Sequence, residues 1–244
     1  DPLVSDWDPR GEPARAAAEQ GIHCLPIPTP FAVGRVNCYL IEDEPLTLLD
    51  SGPNSGRALD ELERALAAHG RRVEDLGLIL VSHQINLTGQ INPVKKVCEM
   101  ARSKGIETIV DGAHSFAQFD FKRDDLQCDY YGTSLHKWIY APKGTGMLYV
   151  KKDKIAKVWA LMASEDRNKN DIRKFEEIGT HSAAMRLAIG ESILFNNAIG
   201  GKRKEERLRF LSRYWMNKLK DVPKVGFNTS FDPKQSCAIA NFKI

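Results

Sequence analysis

The chain has 244 residues, 42% of them apolar, which is enough to bury one large core or two small ones. Its net charge of +3 singles out no strongly charged partner, and no apolar run is long enough to cross a membrane. Five cysteines, at 24, 38, 98, 128 and 237, form no CxxC pair and are odd in number, so free thiols in a reducing, cytoplasmic compartment are expected. The first residues show no basic-then-apolar leader.

The mild total hides an uneven distribution. Residues 1–83 hold 7 Arg, no Lys and 14 acidic residues; residues 84–244 hold 9 Arg, 19 Lys and 18 acidic residues. The motif content changes at the same place, which predicts two parts of different origin.

Residues 1–20 are polar and Ala-rich, with no strong pattern. Val36–Ile41 and Leu46–Leu49 are short apolar runs split by Glu42-Asp-Glu-Pro45, a hairpin signal ended by Asp50-Ser-Gly-Pro53. From Ser55 to His69, apolar residues at 58, 59, 62, 65, 66 and 67 predict an amphipathic helix stopped by Gly70. Leu76–Val81 reads as a buried strand running into Ser82-His83.

The spacing predicts a helix from Pro93 to Lys104, with Asn92 as its cap and Gly105 after it. Ile106–Val110 reads as a strand with Asp111 at its carboxyl end, the second half of a βαβ unit. Cys128–Gly132 and Gly146–Val150 read as strands, 182–199 and 202–219 as helices, and 225–227 and 238–242 as strands of a smaller unit. The basic run Lys202-Arg-Lys-Glu-Glu-Arg-Leu-Arg209 has the interleaved charges of a solvated helix face, so nucleic acid is not expected as a partner.

The stretch from Asp111 to Trp138 carries the chemistry. A carboxylate ends one strand, and Lys137 lies just past the next. Together they suit pyridoxal phosphate, which needs an amine for its aldehyde and a carboxylate against its ring nitrogen. In an open α/β sheet both groups lie at the carboxyl ends of the strands, where ligands bind.

Ser134-Leu-His-Lys-Trp138 followed by Ala141-Pro-Lys-Gly-Thr-Gly146, downstream of Asp111-Gly-Ala-His114, resembles the class V aminotransferase superfamily, in particular its isopenicillin N epimerase-like branch. The resemblance covers about residues 82 to 244. It implies an α/β fold: a partial large domain of the PLP-transferase type (aspartate aminotransferase fold type I) over 82–200 and the start of a small C-terminal domain over 201–244.

The resemblance also assigns roles. Lys137 forms the Schiff base with pyridoxal 5'-phosphate, and Asp111 pairs with the pyridine nitrogen. His114 and Asn86 lie near the ring oxygen, and Ser134 and His136 contact the phosphate. Thr180, in Lys174-Phe-Glu-Glu-Ile-Gly-Thr180, reaches the phosphate of a second subunit, which implies a homodimer. The implied substrate is a small molecule, an amino acid. Cys237 does not match the mobile loop where cysteine desulfuration places its thiol. The substrate-binding arginine of the small domain and the phosphate turn upstream of residue 82 find no match.

Residues 21–83 resemble the opening of a metallo-β-lactamase-fold hydrolase, a ββαβ segment with the turn Leu48-Leu-Asp-Ser-Gly52. A working two-metal site needs the cluster His-x-His-x-Asp-His. Here only His83 is present; Ile85, Leu87 and Thr88 stand where the next ligands belong, so no metal is expected, and Asp50 reads as a turn residue. The alternatives at this point are a metallo-β-lactamase-fold hydrolase with a degenerate site and a non-functional chimeric fragment joined near residues 76–89.

Overall fold

The computed structural model describes residues 11–29, 34–53, 55–160, 162, 169–176, 178–180 and 182–244. The first ten residues, read above as patternless, lie outside the described residues. The chain is a mixed α/β protein with a seven-stranded main sheet and a two-stranded ribbon. It divides into two units: residues 1–81 with 100–108, and residues 82–99 with 109–244.

In the first unit a short helix, α1 (Glu12–Glu19), stands where no pattern was read. Strands β1 (Ile22–Pro28) and β2 (Arg35–Ile41) pair antiparallel, and β2 pairs antiparallel with β3 (Thr47–Leu49). Strand β3 runs parallel to β4 (Leu78–Ser82), so the chain must cross over between them, and α2 (Gly56–Ala68) makes the crossing. Ser55 caps α2 by accepting the Ala58 N–H at 3.2 Å, and Gly70 follows it at φ 68°. Ala58, Leu62 and Leu66 recur at four-residue spacing and bury their side chains with Leu25, Ile27, Cys38, Leu40 and Leu48. Asp50 is a turn residue, as read: it sits at φ 63° and its Oδ1 accepts the Ser51 N–H at 2.6 Å.

Helix α3 (Val94–Ser103) and strand β5 (Glu107–Asp111) lie within two residues of their expected bounds. Just ahead of α3, Asn92 donates its side-chain amide to the Ser82 carbonyl at 2.8 Å. That hydrogen bond ties the approach to α3 to the end of β4.

In the second unit β5 runs parallel to β6 (Tyr130–Ser134) from Ile109 onward, with the short helix α4 (Arg123–Leu126) between them. Strand β7 (Gly146–Val150) has the bounds read from sequence and pairs antiparallel with β6. Helix α5 (Ala183–Ile199) is capped by Ser182, which accepts the Ala184 N–H at 3.3 Å, and α6 (Gly201–Leu219) follows directly. Strands β8 (Gly226–Phe227) and β9 (Phe242–Lys243) form the ribbon. The run 238–242 is therefore extended only at its end. Its start is held by single contacts, such as Ala238 N–H to the Gln118 side chain at 3.0 Å.

The solvated face expected of α6 is corrected at one position. Lys204 is 5% exposed and, with Ser212 and Met216, lies on the buried face of the helix.

His83 is buried just beyond β4 and meets the rings of Phe119 and Phe121 edge-on, at 5.4 and 4.7 Å. Burial holds its pKa down at about 4. Because the fold favours neutral His83, the stability it contributes is present above the ordinary histidine range and is lost as pH falls from about 6.5 toward 4. The cost at the acid end is up to about 3 kcal/mol. Urea unfolding at pH 7 and pH 4.5 should therefore show a smaller acid loss in His83→Leu than in wild type; equal losses would show that His83 is not the group responsible.

Candidate functional site

The site is built where two parallel strands of the second unit end. At the end of β5 the Gly112 N–H donates to the Gly132 carbonyl at 2.8 Å, and Thr133 Oγ1 donates to the Gly112 carbonyl at 3.1 Å. Asp111 Oδ1 accepts the Ala113 N–H at 2.9 Å, and the Gly112 carbonyl accepts the N–H groups of Ser115 and Phe116. These bonds wind residues 112–116 into a tight turn that carries His114. Gln118 Nε2 donates to the His114 carbonyl at 2.6 Å and fixes the turn from below.

Glycine is required at 112 for space. A Cβ there would lie 1.9 Å from the Tyr131 hydroxyl and 2.1 Å from its ring carbon Cζ, and Tyr131 is fully buried on β6. Gly132, on the neighbouring strand, has nothing within 4 Å of a Cβ.

Strand β6 ends at Ser134, and the chain turns back toward β7. Leu135 N–H donates to the Thr145 carbonyl at 3.1 Å, Ala141 N–H to the Leu135 carbonyl at 3.0 Å, and Tyr140 N–H to the Lys137 carbonyl at 3.3 Å. Tyr140 takes φ 65° to close the loop. Leu135, Ile139 and Ala141 form its apolar floor, with Phe116, Ala117 and Ile189 packed against them. On this loop Lys137 is half-buried, and its Nζ lies 3.0 Å from His114 Nε2.

Burial, and then the positive charge of Lys137, push the His114 pKa below its ordinary value, while Asp111 pulls the other way. The three groups are therefore one electrostatic unit. An ammonium has only donors, so a neutral His114 accepts at Nε2 and carries its own proton on Nδ1. That Nδ1 is buried and has no hydrogen-bond partner among the described residues.

The structure thus brings Asp111, His114 and Lys137 together. Ser134 and His136 share the Lys137 loop, half-buried and exposed respectively, and no hydrogen bond among the described residues engages either side chain. Asn86 and Thr180 are exposed. No hydrogen bond among the described residues joins either to the central three. The sequence reading missed the buried amides Gln84 and Gln118, which brace the site. Gln84 Nε2 donates to Gln118 Oε1 at 3.1 Å, and Gln118 Nε2 returns a bond to Gln84 Oε1 at 2.6 Å. Polar residues flanking two strand ends were the available signal, a weak one.

Burial makes four of the five thiols poor nucleophiles. Burial raises Cys24, pushes Cys38 up to about 12, and pushes Cys128 and Cys237 up to about 11. Cys237 is fully buried.

Three comparisons place the chain among known proteins. A family model described as aminotransferase class-V matches residues 55–244, so the matched region takes in α2 and β4 and begins well upstream of residue 82. The isopenicillin N epimerase of Amycolatopsis lactamdurans is 31% identical over 198 residues, 75% of this chain and 49% of that protein. A probable cysteine desulfurase of Halalkalibacterium halodurans is 26% identical over 82% of this chain and 49% of its own length. The chain spans about half the length of these curated relatives. Among solved structures, a cysteine desulfurase from Thermococcus onnurineus NA1 aligns with a TM-score of 0.59 at 17% identity, over 80% of this chain and 56% of the other, which shows a shared fold.

The crowding at Gly112 gives a direct test. Gly112→Ala should lower stability by about 2 kcal/mol or more, because Tyr131 or the His114 turn must move. Gly132→Ala should cost under about 1 kcal/mol. Urea midpoints of the two variants check this, and equal losses would contradict the packing described.

Proposed function

We propose, since the chain belongs to the class V aminotransferase family, that it holds pyridoxal 5'-phosphate at Lys137 and acts on an amino acid. The observation that carries this reading is the 3.0 Å approach of Lys137 Nζ to His114 Nε2 beside the Asp111 carboxylate. The donor set suits the cofactor. It offers an amine, a carboxylate at a strand end, and a buried His114 Nδ1 with no partner among the described residues. Ser134 and His136 add donors with no hydrogen bond among the described residues.

When bound, the cofactor supplies an aldehyde that accepts an amine and a ring that takes up electron density from the substrate. Lys137 Nζ is the group that would hold it covalently, as a Schiff base. The Asp111 carboxylate would keep a proton on the ring nitrogen. His114, kept neutral by burial, orients Lys137 by accepting its N–H at Nε2 and leaves proton transfer to Nζ. Ser134 Oγ and the His136 ring would donate to the phosphate, and Asn86 would serve the ring oxygen. Thr180 would reach the phosphate of a second copy, so the working form would be a homodimer. With its amine free, Lys137 Nζ would be the base for the substrate's α-proton. That step is common to transamination, epimerisation and elimination. Sulfur transfer from cysteine to a protein thiol is not favoured, because burial keeps Cys38, Cys128 and Cys237 protonated.

Adding pyridoxal 5'-phosphate to the protein should raise a visible absorption band. Borohydride should then fix the cofactor mass on the peptide containing Lys137. Lys137→Ala should lose both signals while keeping its fold by circular dichroism. Label spread over surface lysines, unchanged in that variant, would sink the proposal.

A further inference from the structure

Lys204 stands out among the charged groups the site does not yet use. It lies in the first turns of α6, buried, and no carboxylate among the described residues pairs with it. Its neighbour Glu205 is committed elsewhere: Oε1 receives Arg209 Nε at 2.8 Å, and Oε2 receives the Asp120 N–H at 2.7 Å.

The ammonium instead spends its donors on the Lys137 loop and on α5. Nζ donates to the Trp138 carbonyl at 2.8 Å and to Asn196 Oδ1, and it lies 5.1 Å from the centre of the Tyr140 ring. Ser192 Oγ, one turn before Asn196, lies 3.4 Å from the Tyr140 carbonyl. The Lys137 loop is thus gripped on both sides of Ile139 by groups from α5 and α6. Burial lowers the Lys204 pKa, the sign that the charged form is being held against a desolvation penalty.

An apolar side chain of the same length would fill this space without that penalty. What it would lose is the bond to the Trp138 carbonyl, one residue beyond Lys137. The loop needs such an anchor, since Tyr140 takes a left-handed conformation disfavoured for a residue with a Cβ.

We infer that Lys204 is a positioning residue for Lys137: its buried ammonium clamps the Trp138–Tyr140 backbone and so holds the Lys137 amine against His114. This inference deepens the reading of Lys137 given above and rests on it, but its test needs no cofactor.

The readout is the titration of His114 in the ligand-free protein, followed by its ring proton resonances and assigned with a His114→Gln variant. The charge of Lys137 helps hold the His114 pKa down, so any variant that lets Lys137 swing away should raise the midpoint. Lys137→Met sets the full effect. Lys204→Met should give an upward shift of about half a pH unit or more in the same direction, and Lys204→Arg, which keeps a cation and donors, should restore most of it. Asn196→Ala keeps the ammonium but removes one acceptor; it should give a smaller upward shift and decides the matter if Lys204→Met does not fold. A His114 midpoint unmoved in every folded Lys204 and Asn196 variant, while Lys137→Met shifts it, would overturn the inference. An unmoved midpoint in Lys137→Met would overturn it too, because the contact it depends on would be absent. Failure of the cofactor to label Lys137, with these shifts intact, would count against the proposed function alone.

Discussion

The second unit depends on a pair of buried amides. Gln84 and Gln118 exchange reciprocal hydrogen bonds, and their remaining valences reach three further places: the Gly89 carbonyl at 3.1 Å, the His114 carbonyl at 2.6 Å and the Ala238 N–H at 3.0 Å. A buried amide left without a partner costs about 1–3 kcal/mol, so a network with every atom used is stable only as a whole. It fixes the segment after β4, the turn after β5 and the approach to β9 in one arrangement. Gly89 belongs to the same constraint: it sits at φ 69°, and a Cβ there would lie 2.0 Å from the Ile239 carbonyl oxygen. The His114 turn is thus anchored from the interior, and its side chain meets Lys137 from a rigid base.

Charge works differently in the interior and at the surface. Pairs such as Arg72 with Asp75 and Lys104 with Glu74 are exposed, and solvent screening leaves them little weight. The buried lysines Lys174 and Lys204 hold backbone carbonyls instead: Ile155 and Lys169 for one, Trp138 for the other. Arg209, midway along α6, does the same, donating to the carbonyls of Pro233 and Ser236 at 2.6 Å each. Long cations here act as struts for irregular backbone, which cannot satisfy its own carbonyls as a helix or sheet does.

Two histidines show how surroundings assign chemistry. His83 packs against Phe119 and Phe121, and burial holds its pKa down at about 4. His114 sits between a lysine and an aspartate, where a neutral ring can accept an N–H and orient an amine. Both follow an apolar strand in sequence, and neither local context separates them.

What the sequence determined by itself was local. The cap and stop of α2, the bounds of β7, the start of α5 at Ser182, and Asp50 as a turn residue all follow from side chains acting within a few positions of their own backbone. The spacing from Asp111 to Lys137 was legible for the same reason, since a strand end and the loop after the next strand are adjacent in a parallel sheet. Tertiary structure decided the rest. Asn92 found a carbonyl ten residues away, Gln84 found Gln118 at 34 residues, and Lys204 found Trp138 at 66. A helix's charge pattern shows which residues share a face, but which face is covered depends on the element packed against it. For that reason Lys204, legible only as part of a basic run, is a buried strut beneath the Lys137 loop.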